Sequence, residues 1–425
     1  MPVKITDQFA CGKLDRSGCI NNLSPDEKSA LKQFWKFYLD NKDLHWEKVE
    51  SDPVSIINTS SDKEENKPDP NIEVYDGCTF GQTIQERMMA KGLLKEGEDI
   101  VPVPFKSLRQ DDSYGEAFWS AIRQDSPDVL LLRFLRARKW DVRKANLMGA
   151  AAVKWRAYEN VEEILWTGES MNEASLMAKG VSFIHGHDKL GHPIIWSPSC
   201  KHHQRDQPFA SMKRYLIWMM ETARQLLQQP IEKVCLIMDL TDHSNANMDW
   251  PFVKMFLKIL EAYYPECLAI CIVYNGPWWF SGVYKMITPL LDPVVAAKIQ
   301  FAKNGDGLRQ FIDNDQLLAS RGGSNKYEYQ YVFPKPGEND LMKDQATRDA
   351  LVEKRREIIK RLEEATRQWV YADSDNNERM EEEREQYIKD YIEVSRKLED
   401  YARARHLYHR LGVVTKDGLD WDAAK

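Results

Sequence analysis

Several features that are common in other protein classes are scarce or missing in this chain of 425 residues. Its seven cysteines include no Cys-x-x-Cys pair, which argues against a disulfide framework or a zinc site. No run reaches the roughly 18 apolar residues of a membrane span, and residues 1–30 contain no apolar signal core. The net charge is −7, so no global basic field favours nucleic acid. We therefore expect a soluble, cytosolic protein whose contact with membranes is peripheral and transient.

Catalytic and cofactor motifs are also missing. The chain has no Gly-x-Gly-x-x-Gly after a strand, no Walker loop and no Gly-x-Ser-x-Gly elbow. His185 and His187 could chelate a metal from one strand face, but no third ligand follows at motif spacing. Haem ligation by a histidine or tyrosine is another alternative. Glu266 and Asp292 could form an acid–base pair, but no nucleophile accompanies them. We predict no metal, no cofactor and no enzymatic activity.

The N-terminal part of the chain carries signals for helices. Ser24 and Glu27 have the spacing of a capping box, which predicts a helix start. Residues 51–71 are rich in Ser, Asp, Asn and Pro, so we predict a linker with little order. Ser126 and Asp141 can start two further helices, which we expect to end near residues 138 and 158.

From about residue 180 the pattern becomes that of an α/β domain. Five β-prone or continuously apolar runs predict strands, at residues 181–184, 193–196, 234–240, 269–274 and 298–301. The first two flank a hairpin turn. An amphipathic helix lies between the third and fourth, with Val253, Phe256, Leu257, Leu260 and Tyr264 on its apolar face. Strand–helix–strand order predicts a mainly parallel sheet with a right-handed crossover.

Beyond about residue 342 the chain is again helical. Two apolar stripes at helical spacing comprise Leu351, Ile358, Leu362, Ala365 and Trp369, then Tyr387, Tyr391, Val394, Leu398 and Tyr401. Residues 373–377 form a turn between them. We predict an antiparallel helical hairpin whose seam either folds onto the core or binds a protein partner. Because the seam is short, we expect it to pack within the chain.

Two charged residues border strongly apolar sequence. Glu266 follows Tyr-Tyr-Pro directly before an apolar strand, and Lys298 follows two alanines before another. A carboxylate can accept hydrogen bonds from ligand hydroxyls, and lysine is a flexible charge suited to phosphate. The alternatives are a surface carboxylate at a helix end and a lysine whose stem lies along apolar surface. The pattern favours an apolar cavity with a polar rim.

An aromatic segment between these two charges could close such a cavity. Residues 277–290 include Trp278, Trp279, Phe280, Val283 and Ile287. Three adjacent aromatic residues are too much for one buried stripe, so this helix could act as a gate and dip into a membrane interface. A plain core helix is the alternative.

Six motifs in this order resemble the CRAL-TRIO family, and within it the yeast-type phosphatidylinositol transfer proteins. They are Leu-Leu-Arg-Phe-Leu-Arg-Ala-Arg-Lys-Trp-Asp-Val at 131–142, Gly-His-Pro at 191–193, Ile-Met-Asp-Leu at 237–240, Tyr-Tyr-Pro-Glu at 263–266, Leu-Asp-Pro-Val at 291–294 with Lys298, and Gly-Gly at 322–323. The resemblance covers residues 104–329. It extends to a longer fungal branch that also has a polar N-terminal extension and a C-terminal helical tail.

The resemblance implies an N-terminal helical lobe and an α/β lobe that together enclose one phospholipid beneath a gate helix. It places the inositol-phosphate contacts on Arg138, Lys139, Glu266 and Lys298. From the residues alone, Arg138 and Lys139 could equally belong to a solvated helix end. We expect four segments: an N-terminal helix and linker, the helical lobe, the lipid-binding domain and the C-terminal hairpin, at residues 1–77, 78–170, 171–335 and 336–425.

Three positions depart from the family pattern. Val295 stands where a threonine is usual, and Val234 and Leu236 stand where the best-known members have a serine and a threonine. Valine and leucine cannot donate to a phosphate. We therefore predict a monomeric carrier of phosphatidylinositol, with weak or no phosphatidylcholine exchange and room for a second, less polar lipid. The alternative is a scaffold that senses a sterol, an isoprenoid or haem and recruits partners through its C-terminal hairpin.

Overall fold

The structure is a computed structural model that describes residues 5–54, 77–372, 377–416 and 418–423. The predicted linker at 51–71 lies outside these residues except for its first four positions. The predicted turn at 373–377 also lies outside them, apart from its last residue.

The part of the chain before the sheet is helical. Its helices are α1 (Ile5–Cys11), α2 (Pro25–Asn41), α3 (Ile84–Ala90), α4 (Tyr114–Ile122), α5 (Pro127–Ala137), α6 (Val142–Tyr158), α7 (Val161–Thr167) and α8 (Ala174–Lys179). Phe9 of α1 packs in the core of the sheet, with its ring 5.2 Å from that of Phe311. Ser24 and Glu27 form the expected capping box, and Asp141 caps α6 by accepting from the amide of Lys144. Ser126 precedes α5 as predicted but makes no capping hydrogen bond with its side chain.

A five-stranded sheet forms the second lobe. Its strands are β1 (Phe183–His187), β2 (Pro193–Pro198), β3 (Val234–Asp239), β4 (Leu268–Tyr274) and β5 (Ile299–Ala302). They lie in sequence order, with β1 antiparallel to β2 and the other three pairs parallel. The turn between β1 and β2 holds His192 against Asp188, with 2.8 Å between Nδ1 and Oδ2. The histidine of the Gly-His-Pro motif is thus held within this hairpin.

Helices connect the parallel strands. They are α9 (Phe209–Gln225) before β3, α10 (Trp250–Ala262) before β4, and α11 (Phe280–Ile287) with α12 (Pro293–Ala297) before β5, followed by α13 (Gly305–Arg309). The helix α11, which we call the gate helix, is continued by a 3-10 turn over Thr288–Leu290. A helix thus lies within the segment predicted at 277–290, and its role as a gate stays a prediction.

The two faces of the sheet have different surroundings because strand side chains alternate between them. Cys235 and Ile237 of β3, with Ile270 and Ile272 of β4, pack in a core against residues that follow β5. The intervening side chains, among them Leu236, face a cavity on the opposite side.

The C-terminal part forms the predicted hairpin. Helices α14 (Gln345–Tyr371) and α15 (Asn377–Ala402) pack against each other, and α14 also packs on α2. The chain ends with α16 (Leu407–Arg410) and the short strands β6 (Val414–Thr415) and β7 (Gly418–Leu419).

The hairpin is joined to the N-terminal lobe by a buried ion pair. Arg384 of α15 donates from both Nη atoms to the two oxygens of Asp128, each at 2.6 Å. Its guanidinium also lies over the rings of Trp35 and Trp369. The apolar seam of the hairpin is therefore covered by contacts within the chain itself, between its two helices and with α2.

Within the part of the chain that the structure describes, no helix has the length and apolar character needed to cross a bilayer.

Candidate functional site

A large apolar cavity lies between the sheet and the three helices α9, α10 and α11. It encloses about 1730 Å³, including the space open to solvent at its mouth. Its floor is formed by side chains of β2, β3 and β4. Its walls include Met212, Leu216, Met219, Val253, Phe256, Leu257 and Leu260. Four of the five side chains on the predicted apolar face line this cavity, namely Val253, Phe256, Leu257 and Leu260, whereas Met255 and Ile259 of the same helix are buried in the core.

The three family departures lie on the wall of this cavity. Val234 and Leu236 line it from β3, and Val295 lines it from α12. Because their side chains have no polar atoms, this part of the wall offers no hydrogen bond to a ligand.

A second, smaller pocket carries the charges of the predicted rim. It encloses about 500 Å³, measured in the same way, and Arg138, Glu266 and Lys298 all line it. Leu260, Cys267, Leu268 and Val295 belong to the walls of both spaces. The small pocket, which we call the rim pocket, therefore adjoins the apolar cavity.

Glu266 is held between two lysines. Both Lys233 and Lys298 place Nζ 3.2 Å from its carboxylate. Burial raises the pKa of this carboxyl, but the two ammonium groups outweigh burial and lower the pKa to about 2. Burial lowers the pKa of the Lys298 ammonium, and Glu266 opposes that shift. Arg138 and Lys298 are the cations on the rim pocket, whose lining also includes the carboxylates of Glu261, Glu266 and Asp292.

Lys233 was not predicted from the sequence, although a signal was present. Lys233 directly precedes β3, and Lys298 directly precedes β5. Glu266 lies two residues before β4, with Cys267 between them. These three strands are neighbours and run parallel, so the residues before them meet at one edge of the sheet. A search for charges at the amino ends of the predicted strands would have found it.

Arg138 and Lys139 have different positions at the end of α5. The Arg138 side chain is half-buried on the rim pocket and makes no hydrogen bond or ion pair with any described residue. Lys139 is exposed and does not line the pocket. The structure thus brings Arg138, Glu266 and Lys298 together and leaves Lys139 outside, and the headgroup contacts of all four residues stay predictions.

The backbone is unusual at two of these positions. Glu266 has a φ of 56° and Lys139 a φ of 51°, in the left-handed region that non-glycine residues seldom occupy. Such conformations are concentrated at binding sites, where the surrounding structure enforces them. For Glu266 this conformation accompanies the turn of its carboxylate toward both lysines.

The predicted gate residues divide between the inside and the outside. Phe280 and Ile287 line the cavity, together with Tyr284, which was not predicted. Trp279 and Val283 pack beside Phe280 and Leu240. Trp278 is 90% exposed. One helix therefore covers the cavity and also presents apolar surface to the solvent.

Exposed apolar side chains are concentrated around this helix. Five of the twelve large exposed ones among the described residues lie between residues 278 and 301, namely Trp278, Met286, Leu290, Val294 and Phe301. The ring of Phe301 contacts that of Tyr284 at 5.1 Å between centroids, which places it beside the gate helix. Concentrated exposed apolar surface marks interaction sites in soluble proteins. We call these five residues the apolar patch.

Residues that were considered for a metal site or for an acid–base pair have ordinary structural roles. Among the described residues, no three His, Cys, Asp or Glu side chains form a group that could hold a metal ion. His185 is buried and stacks on Tyr327 at 3.7 Å between ring centroids. Asp292 caps α12, since its side chain accepts from the amide of Val294 at 2.7 Å.

Glu266 makes the stability of the protein depend on pH. Because its folded pKa of about 2 lies below the ordinary glutamate value of 4.5, its contribution is complete above pH 4.5 and is lost as pH falls toward 2. We expect Glu266→Gln to lower the free energy of unfolding at pH 7. The difference from wild type should shrink steadily between about pH 4.5 and pH 2. Urea unfolding at several pH values measures this, with the exposed Glu328→Gln as control. A difference that is constant with pH would contradict the assignment.

Comparison with known proteins identifies relatives of this chain. The CRAL/TRIO domain model matches residues 177–323, and the model of the N-terminal CRAL/TRIO domain matches residues 93–148. The phosphatidylinositol transfer protein CSR1 of Eremothecium gossypii is 33% identical over 372 residues, which are 84% of each chain. A CRAL-TRIO domain-containing protein of Schizosaccharomyces pombe is 38% identical over 302 residues, or 70% of this chain and 68% of that one.

A solved structure was also found. The crystal structure of Sfh5 matches with a TM-score of 0.40 and 18% identity, over 63% of this chain and 99% of that one. The domain matches and the two fungal relatives agree with the motifs in the sequence, and the chain belongs to the CRAL-TRIO family.

Proposed function

We propose that this protein binds phosphatidylinositol and carries it between membranes, or presents it at a membrane. The observation that carries the proposal is the rim pocket, which holds Arg138, Glu266 and Lys298 and lies beside a cavity with apolar walls. A phospholipid is built in the same way, with a charged, hydroxylated headgroup beside two apolar acyl chains. The relative from Eremothecium gossypii, named a phosphatidylinositol transfer protein, supports this proposal.

Each part of the lipid has a partner of suitable chemistry. Arg138 and Lys298 would bind the phosphate, since both are cationic and the Arg138 side chain has no partner among the described residues. Lys139 is one residue away and could reach the phosphate after rotation of its side chain. Glu266 would accept hydrogen bonds from inositol hydroxyls. Each methylene that leaves water for the cavity contributes roughly 0.8 kcal/mol. No bond is made or broken in this function.

The apolar wall argues for selectivity between phospholipids. Val234, Leu236 and Val295 offer no donor to the phosphate of a choline lipid, so phosphatidylcholine exchange should be weak or absent. The test is transfer of radiolabelled phosphatidylinositol and phosphatidylcholine from donor to acceptor vesicles. We expect transfer of the first at least tenfold faster than the second. Equal transfer of both would overturn the selectivity, and transfer of neither would overturn the function.

The apolar patch would bring the gate helix to a membrane. Trp278 is almost fully exposed, and tryptophan prefers the bilayer interface. A soluble, monomeric carrier in the cytosol would need only brief contact of this kind. The seam of the C-terminal hairpin is buried against the N-terminal lobe, and no feature of it favours recruitment of a protein partner over lipid transfer.

Trp278→Ala tests the membrane contact. We expect vesicle association and phosphatidylinositol transfer to fall roughly tenfold, because the ring no longer enters the interface. The free energy of unfolding should not change, since the side chain is 90% exposed. Vesicle co-sedimentation measures association, and Leu93→Ala, which removes a 46% exposed side chain away from the gate, is the control. Equal association of both variants with vesicles would refute the role of Trp278.

A further inference from the structure

A group of polar side chains lies at the end of the cavity that is remote from the rim pocket. Glu266 and Lys298 stand at the amino ends of the parallel strands, whereas His243 follows the carboxyl end of β3. Its amide donates to the carbonyl of Leu240, which keeps it at that end. At about 3.3 Å per residue, β3 separates the two ends by roughly 20 Å. His243 therefore belongs to a different part of the cavity, beneath the gate helix.

His243 is buried without a hydrogen-bond partner. The residue is 9% exposed and lines the cavity, and neither Nδ1 nor Nε2 has a hydrogen-bond partner in the part of the chain that the structure describes. Its ring lies 5.5 Å from that of Trp279, between centroids. Burial lowers the pKa of this imidazole, so the neutral form, with one donor and one acceptor, is favoured. Since buried polar groups are almost always hydrogen-bonded, an imidazole in this state points to a ligand.

A second histidine at the same end presents an acceptor. His202 is also 9% exposed, and its Nε2 lies 3.0 Å from Oδ2 of Asp249. A carboxylate fixes the proton on the nitrogen that faces it, so Nδ1 of His202 carries the lone pair. That Nδ1 is buried and has no partner either. The two histidines line one cavity and together offer an N–H donor and an unused acceptor.

The surroundings restrict the charge of the ligand group. No lysine or arginine occurs among the described residues that line the large cavity, and Asp249 adds negative charge at this end. A phosphate, an ionised carboxylate or the propionates of haem would find no cation here. A hydroxyl is the smallest uncharged lipid group that both accepts and donates a hydrogen bond through one atom. The neighbouring side chains, which include Leu240, Met248, Phe252 and Phe280, suit a hydrocarbon body.

We propose that the gate end of the cavity binds a neutral lipid with a single hydroxyl group. The hydroxyl oxygen accepts from the N–H of His243, and its proton is donated to Nδ1 of His202. The hydrocarbon extends along the floor toward Leu236 and Val234. This inference rests on the proposed function only in that the cavity takes up lipid. It assigns the second ligand a chemical class and an orientation.

Hexadecan-1-ol and hexadecane are matched probes, because they differ only by the hydroxyl. The full-length protein is incubated with phosphatidylcholine vesicles that carry one radiolabelled probe, and the label on the re-isolated protein is counted. The ratio of alcohol to alkane is compared between variants, so partition into the vesicles cancels. We expect this ratio to fall roughly tenfold in His243→Phe, because the phenyl ring can neither donate nor accept. His243→Gln should retain much of the wild-type ratio, since the glutamine amide can both donate and accept a hydrogen bond.

His203→Phe is the matched control. His203 is adjacent to His202 but is 43% exposed at its side chain and does not line the cavity. Its variant should keep the wild-type ratio. Equal ratios in wild type and His243→Phe would overturn the proposal, as would a haem absorption band in the purified protein that disappears in His243→Phe. Uptake of phosphatidylinositol without any preference for the alcohol would overturn this inference alone. Uptake of no lipid at all would overturn the proposed function with it.

Discussion

Replacing Lys298 with methionine is expected to reduce phosphatidylinositol transfer by one to two orders of magnitude. The variant keeps the apolar stem of the side chain and removes the charge from the rim pocket. Hydrogen bonds to charged groups contribute about 1.5–3 kcal/mol, and 1.4 kcal/mol is tenfold in affinity. The folded state should change little, because Lys233 still pairs with Glu266 at 3.2 Å. Transfer between vesicles and the urea midpoint measure the two effects separately.

Lys233→Met is the control that matches this experiment. Both variants leave Glu266 with one lysine, but Lys233 does not line the rim pocket. If Lys298 binds the phosphate, Lys298→Met should transfer much more slowly than Lys233→Met. If Lys298 only balances the charge of Glu266, the two variants should behave alike. Equal rates would therefore exclude Lys298 as a headgroup ligand.

The largest expected effect on stability is that of Arg384→Met. The variant leaves the carboxylate of Asp128 buried without its bidentate partner, although the indole of Trp35 still donates to it at 2.7 Å. Removing one member of a buried ion pair costs about 3–5 kcal/mol. Arg384 also contributes cation–π contacts at 5.0 Å and 4.6 Å from the Trp35 and Trp369 ring centroids. Urea unfolding should report the loss as a lower midpoint.

Two further variants make this result specific. Lys389→Met removes a charge from the same helix, where Lys389 and Glu385 are 62% and 53% exposed at their side chains. Exposed pairs contribute about 0–1 kcal/mol, so its midpoint should hardly move. The double variant Asp128→Asn/Arg384→Met should recover part of the stability, because no unpaired buried charge remains. A midpoint for Arg384→Met equal to that of Lys389→Met would show that the pair does not hold the hairpin.

Much of the fold followed from local patterns. Each of the five strands lies within about three residues of the predicted run at both ends, since turn signals and apolar runs are properties of neighbouring residues. The ends of α5 and α6 were predicted equally closely from Ser126 and Asp141. The period of the apolar residues in α14 and α15 also predicted the hairpin correctly.

The function of an apolar face could not be deduced in the same way. The helix α10 has the amphipathic pattern of a core helix, yet Val253, Phe256 and Leu257 line the cavity. A wall that contacts lipid and a wall that contacts protein both need apolar side chains, so the pattern is the same for both. Trp278 and Phe280 are likewise only two positions apart and equally apolar, but one is 90% and the other 7% exposed.

The sequence by itself determined the five strands, the starts and ends of α5 and α6, the C-terminal hairpin, and the placement of Glu266 and Lys298 at strand entries. It also placed the chain in its family, through motifs that are each contiguous. The tertiary structure decided which charges meet: Lys233 with Glu266, and Asp128 with Arg384 across 256 positions. It also decided that His243 is buried without a partner at the cavity's gate end. Contacts of this kind depend on how whole elements pack, and no local pattern records them.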